Sequence, residues 1–311
     1  MKKYVTEENG KVIVALVLMS LSFSLNAQQD PLYSQYLNNP FILNPAYAGL
    51  TNNLNFSASY RNQWTGFEGS PKTINANGHI SLRDNKMGVG LMAISDQIGN
   101  STINEVFGSY SYRINVTADY ILSFGLQAGF ANYQLDNSKV NVFDKTDPLF
   151  MSNTSETKPS FGFGAILRSS KYFISLSAPR MLRTTFETQG LQSSLYTQHY
   201  YLMGSSLFFI SERIRFKPSA LLKLVSGAPA SIDLNGSLII HENYQAGVLT
   251  RNFNTYGFFL QALLKDSFRL GYTFEVPTGR SVGVNFTSHE ITLGFRMNAL
   301  SFHSNMDVLS F

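Results

Sequence analysis

The chain of 311 residues has no cysteine, a single tryptophan (Trp64) and few charges: Asp, Glu, Lys and Arg make up 14% of it, against about 25% in an ordinary soluble domain. Each shortage excludes something. Without cysteine there is no disulfide framework, no zinc–thiolate site and no thiol chemistry. A formal net charge of +4 is too weak to argue for a nucleic-acid surface. No run is long and apolar enough to cross a bilayer as a helix, which takes about 20 residues; the longest, Val12 to Leu25, is shorter. The usual catalytic signatures are missing too, with neither a GxSxG elbow nor a GxxxxGK[ST] phosphate loop. The five histidines, His79, His199, His241, His289 and His303, stand at no metal-binding spacing. The sequence thus implies no enzyme, no cofactor and no metal.

What is present is aromatic and uncharged. Phe (25) and Tyr (16) supply nearly all of a 14% aromatic content. The hydrophobic fraction is an ordinary 44% and the mean hydropathy is near zero, so the polar half is mostly Asn, Ser, Thr and Gln. A chain this aromatic and charge-poor is not disordered. These averages suit a large all-β protein, and a membrane barrel is the version whose two opposite faces cancel in them.

The amino-terminus sets the compartment. Lys2, Lys3 and Lys11 precede the apolar run VIVALVLMSLSFSL, and Asn26-Ala27-Gln28 follows it. A basic start, a short apolar core and a small residue before the break read as a secretory signal peptide over residues 1–27, removed after Ala27.

From residue 54 to residue 298 the chain alternates with period 2. Phe268, Leu270, Tyr272, Phe274 and Val276 point one way, and Arg269, Gly271, Thr273 and Glu275 the other. Similar rows recur in 122–130, 213–224 and 291–297. About 14 such segments can be counted. Some connections are very short, as at 83–86, Ser211-Glu212 and Asp266-Ser267; others, near 134–157 and 179–197, are long. Aromatics gather toward segment ends, as in Tyr110/Tyr112, Tyr172/Phe173 and Tyr200/Tyr201, where membrane interfaces favour them. Because lipid satisfies no free backbone N–H or C=O, a β structure spans only when closed. The expected fold is a transmembrane antiparallel β-barrel of the outer-membrane type, with an apolar outer face and a polar, glycine-containing lumen. Inward Arg213, Arg215, Lys217, Lys223 and Arg269 form either an anion-selecting ring or pairs with Asp233 and Glu275; pairing is the expectation.

Residues 28–53 differ. Asp30 to Gly49 reads DPLYSQYLNNPFILNPAYAG, with three prolines and no clean alternation. Each proline holds its predecessor extended or in a turn. Such a stretch is a lead-in packed under the barrel, or a docking segment or partial plug within it. The tail 299–311 is an extension past the last strand. Trp64, Phe67 and Pro71 form an apolar cluster in the turn after the first strand, expected to pack on the 31–49 segment or on a partner.

Several motifs, in order, resemble the PorP/SprF family of type IX secretion membrane proteins. They are Gln35-Tyr36; Asn44-Pro45-Ala46-Tyr47-Ala48-Gly49; Tyr60-Arg61-Asn62-Gln63-Trp64 with Gly66-Phe67-Glu68-Gly69-Ser70-Pro71; Asp96-Gln97-Ile98-Gly99; Ser175-Leu176-Ser177-Ala178-Pro179-Arg180; and Ser288-His289-Glu290-Ile291 with Gly294-Phe295-Arg296. The resemblance implies a non-enzymatic barrel in the outer membrane of a Gram-negative bacterium. It would support secretion or surface attachment of cargo proteins with a C-terminal sorting domain, gliding adhesins among them. Its partners would be outer-membrane lipid, that cargo and other secretion subunits in the periplasm and outer membrane. A passive channel or transporter for small apolar solutes is the alternative. The signature positions Asn44, Pro45, Tyr47, Gly49, Tyr60, Arg61, Asn62, Trp64, Phe67 and Pro71 are candidates for partner binding or for a structural role.

Overall fold

The computed structural model describes residues 34, 36, 38–137, 153–182, 184–188, 191–279 and 284–303, with backbone alone for 184–188 and 191–196. The strands are β1 (Leu54–Asn62), β2 (Lys72–Leu82), β3 (Met87–Ile98), β4 (Ser101–Asn115), β5 (Ile121–Leu135), β6 (Thr154–Arg168), β7 (Tyr172–Ala178), β8 (Thr184–Thr188), β9 (Leu191–Tyr196), β10 (His199–Ser206), β11 (Phe208–Phe209), β12 (Ile214–Val225), β13 (Ser231–Ile240), β14 (Tyr244–Arg251), β15 (Thr255–Leu264), β16 (Phe268–Pro277) and β17 (Ser288–Met297). Each strand pairs antiparallel with its neighbour, and β10 is flanked by β7 and β12. The ring closes where β1 meets β17, in an unbroken register from Leu54↔Met297 to Asn62↔His289. The result is a closed 14-strand barrel, with β11 a two-residue continuation of β10 and β8–β9 a separate hairpin.

That hairpin lies in a stretch the sequence pattern assigns to a loop; Thr184, Thr185 and Phe186 are strand-favouring residues, but their strand, β8, pairs with β9 and not with the barrel. The break between β10 and β11 falls at Leu207, which turns inward, is buried, and donates its N–H to the Lys171 carbonyl (2.8 Å).

The alternation sorts the side chains as period 2 requires. Along β3, Gly88, Gly90, Met92, Ile94 and Asp96 face in and are buried, while Val89, Leu91 and Ala93 face out. The outer wall carries Leu91 (68% exposed), Leu126, Phe130, Phe161, Val248, Leu260 and Leu293. A continuous apolar wall of this extent is unstable in water and stable in lipid. The long connections, 63–71, 136–153, 179–198 and 278–287, share one rim; the other carries the tight turns at 83–86, 116–120, 169–171, 241–243 and 265–267. In outer-membrane barrels the short turns face the periplasm and the long loops the exterior. Three of the tight turns place consecutive non-glycine residues at positive φ, Arg83/Asp84/Asn85, His241/Glu242 and Lys265/Asp266, the region that tight hairpin turns use.

Candidate functional site: a lumen filled by the chain's own amino-terminal segment

The segment before β1 lies inside the barrel. Two short 3-10 turns, Pro40–Ile42 and Pro45–Tyr47, shape it. Proline opens each, where its missing N–H costs nothing. Asn44 caps the second by accepting from the Ala46 N–H (2.8 Å). Phe41, Ala46 and Ala48 have no exposed surface, and Ile42, Tyr47 and Leu50 are buried. The rings of Phe41 and Tyr47 both meet His79 edge-on, at 5.2 and 5.7 Å.

The wall is cut to receive this segment. A Cβ on Gly125 would stand 2.1 Å from the Ala46 nitrogen, one on Gly88 2.0 Å from the Ala48 carbonyl oxygen, and one on Gly164 1.9 Å from the Asn44 amide oxygen. The glycines that a strand reading ascribes to curvature or crowding are thus the floor of a groove for backbone. Polar wall groups satisfy the segment's main chain. Ser123 donates to the Ala46 carbonyl and Ser111 to that of Ala48, both at 2.7 Å. The Gly49 N–H donates to His79 Nδ1 (3.1 Å). The Asn44 amide hydrogens are shared among the Ser175 hydroxyl (2.8 Å) and the carbonyls of Leu176 (3.1 Å) and Ala165 (3.2 Å). Gly49 has φ +63, and a Cβ there would meet the Ile80 carbonyl at 2.7 Å. Only glycine fits both conditions.

Near the long-loop rim a buried ion cluster closes over the start of the segment. Arg61 bridges Glu275 (2.5 Å) and Glu290 (3.2 Å). Arg251 pairs with Asp233 (3.0 Å) and approaches Glu275 (3.7 Å). Three carboxylates face two guanidiniums, and donors from the segment fill the remaining acceptor sites. The Ser34 N–H donates to Glu290 (2.9 Å), its hydroxyl to Glu275, and the Tyr36 phenol to Asp233 (3.2 Å). Asp233 and Glu275 are therefore paired, Glu275 with Arg61 and Arg251 and Asp233 with Arg251; of the cations expected to pair with them, Arg215 pairs with Glu242 at the turn rim.

A second element enters from the same rim. After β7 the chain turns inward, and the Pro179 carbonyl accepts from Gln127 (2.7 Å). It occupies the space a Gly162 side chain would need. Arg180 forms a bidentate pair with Glu105 and sits 5.9 Å from the Phe107 ring. At the opposite rim the extension past β17 folds back, with His303 Nε2 2.9 Å from the Ser81 carbonyl oxygen and the Phe302 carbonyl accepting from Asn85 (3.1 Å).

The candidate residues divide by depth. Asn44, Pro45, Tyr47 and Gly49 lie in the lower lumen, Arg61 lies in the ion cluster, and Tyr60 faces lipid. Asn62 ends β1. Trp64 and Phe67 sit on the outer rim, where Trp64 has φ +56 and donates its N–H to the Ser288 hydroxyl (3.2 Å). Phe67, half exposed, packs edge-on against Phe286 at 5.5 Å. The Pro71 carbonyl accepts from the Gln63 N–H (2.9 Å). The ring contact of Phe67 thus runs to the loop before β17, not to the amino-terminal segment. Among the described residues no group of three His, Asp or Glu side chains is arranged to hold a metal ion. Residues 1–27, read from the sequence as a signal peptide, and residues 304–311 lie outside the described residues.

A closed barrel with a lipid-facing apolar wall and a polar lumen occupied by its own chain is an outer-membrane protein. Its sequence matches the family described as type IX secretion system membrane protein PorP/SprF over residues 25–295, and the chain belongs to that family. No curated protein sequence matches it. Among solved structures it is similar to the CymD monoaromatic hydrocarbon channel, with a TM-score of 0.53 at 10% identity over 88% of this chain and 94% of that one. It is also similar to the Acinetobacter baumannii outer membrane protein Omp33, with a TM-score of 0.47 at 10% identity over 80% and 100%. Likeness at this identity concerns the fold alone.

Proposed function

We propose that this protein is a plugged, non-catalytic outer-membrane component of type IX secretion. It supports secretion or surface attachment of exported proteins that carry a C-terminal sorting domain, gliding adhesins among them. Family membership supplies the system. The observation that favours docking over transport is the lumen. Wall glycines, serines and an ion cluster are fitted to the chain's own segment, which leaves little room for a solute path. A passive route for small apolar solutes would need that space. Partners would meet the protein at its rims, through the 63–71 and 284–287 loops outside or the turns and the folded-back 299–303 segment inside.

Deleting the gene in its host should shift sorting-domain proteins from the cell surface to the periplasm. Undiminished surface attachment would overturn the reading. In planar bilayers the purified barrel should show no steady conductance. An open channel would favour the transport alternative. Replacing Trp64 and Phe67 together by alanine should lower surface-attached cargo several-fold while the amount of folded barrel in the outer membrane stays the same. Unchanged attachment would remove this loop from the partner surface.

A further inference from the structure

The wall is not equally tall all round. β6 pairs with β5 along its whole length, from Leu135↔Thr154 to Ile121↔Arg168. On its other side it pairs with β7 only from Phe163↔Ala178 to Arg168↔Phe173. The outer part of β6, Thr154 to Gly162, therefore carries a ladder on one edge alone. The hairpin β8–β9, which follows β7 in the chain, pairs within itself and not with β6.

Along an antiparallel strand the backbone groups of successive residues turn to alternate edges. The Phe161 carbonyl turns to the open edge, where it accepts from the Met181 N–H (2.8 Å). The same edge then presents the N–H and C=O of Ser155 and Thr157, the carbonyl of Pro159 and the Phe161 N–H. Pro159 has no N–H to offer, and an unladdered edge is where a strand tolerates proline. Among the described residues none of these remaining edge groups has a hydrogen-bond partner.

The side chains place this edge in water. Phe161 and Phe163 point outward within the apolar wall, beside Leu126. Beyond them the outward face turns polar. Asn132 on β5 donates to the hydroxyls of Ser155 (3.1 Å) and Thr157 (2.9 Å), and Gln134 donates to Asn132 (2.7 Å), all exposed. The charges of the stretch cancel, since Glu156 and Lys158 pair at 2.6 Å.

We infer that the outer edge of β6, from Ser155 to Phe161, is a docking site for an extended polypeptide segment of an external protein, which joins the wall as an added strand. A row of open donors and acceptors on a strand edge is matched by another strand. A neutral, polar edge suits a segment whose side chains are polar and uncharged. A second copy of the barrel does not fit. Its own β6 runs on down to Arg168 and would need the place that β7 of this copy occupies. The inference names a kind of partner and does not depend on the secretion role.

The test uses the purified full-length barrel in detergent and a fluorescent peptide of alternating threonine and glutamine. Thr157→Pro removes an edge donor that points away from β5, so the β5 ladder stays intact; heat-modifiable migration verifies that the variant is folded, and Ser155→Pro serves as a second variant. The peptide should bind the parent, and its affinity should fall several-fold with either proline. The same peptide methylated on every amide nitrogen, which cannot form a ladder, should not bind. No binding to the parent, equal binding to the proline variants, or binding of the methylated form would overturn the inference. Because the chain has no cysteine, Thr157→Cys reports on self-pairing: oxidised in bilayers, it should stay monomeric, and a disulfide-linked dimer would give the edge to a second copy and overturn the inference too.

Discussion

Arg61→Met should be the most damaging single change in the lumen. It leaves Glu275 and Glu290, both essentially without solvent contact, facing each other and Ser34 without their shared counter-charge. Removing one partner of a buried pair costs about 3–5 kcal/mol, a loss that lowers the thermal midpoint by roughly 10 °C in a domain this size. Heat-modifiable migration on gels reads it directly, because a folded barrel runs apart from the unfolded chain. Arg61→Met combined with Glu275→Gln and Glu290→Gln should regain part of the loss, since no unpaired charge then remains at those positions. If Arg61→Met melts like the parent, the cluster is not what holds the segment's start.

Gly125→Val should act on the lumen and spare the wall. Valine suits a strand, and the antiparallel neighbours of Gly125, Ser111 and Gly164, pair through backbone. Inside, however, its Cβ would stand 2.1 Å from the Ala46 nitrogen and 2.4 Å from the Ala46 Cα. Both are backbone atoms of a residue with no free space around it. The segment has to leave its groove. A steady conductance should appear where the parent has none, and the 38–52 stretch should become cleavable by added protease while the barrel still migrates as folded. A closed, resistant variant would mean that the groove tolerates repacking and that the glycines do not define the plug.

The barrel was legible because its rule is local. Alternation along Phe268 to Val276 or Leu122 to Phe130 needs no knowledge of the neighbours, and short connections at 83–86 or Asp266-Ser267 announce themselves. The lumen was less so because its contacts are set by closure. Arg61 and Glu290 are register partners across β1 and β17, strands at opposite ends of the chain. Asp233 and Arg251 face each other through the β13–β14 register. Proximity in sequence pointed instead to Arg213, Arg215 and Arg269. The Asn44 to Gly49 stretch carried no periodicity, since its main chain bonds to side chains on several strands rather than to one ladder. A signal was nonetheless present. Gly88, Gly90, Gly125, Gly162 and Gly164 all fall on inward positions, which marks a place where backbone comes close to the wall. For Trp64 and Phe67, the rim position was readable, but the partner ring, Phe286, belongs to the connection that precedes the last strand.

The ion cluster also bears on how the barrel holds together sideways. Its groups come from both edges of the closing seam: Arg61 from β1, Glu290 from β17 and Glu275 from β16. Ser34 bonds to all three. The amino-terminal crossing therefore acts as a cotter pin in a hoop. Parting β1 from β17 to let a lipid or a peptide escape laterally would require drawing the pin as well as unzipping the ladder. A route through the wall at that seam is locked for as long as Ser34 stays in place.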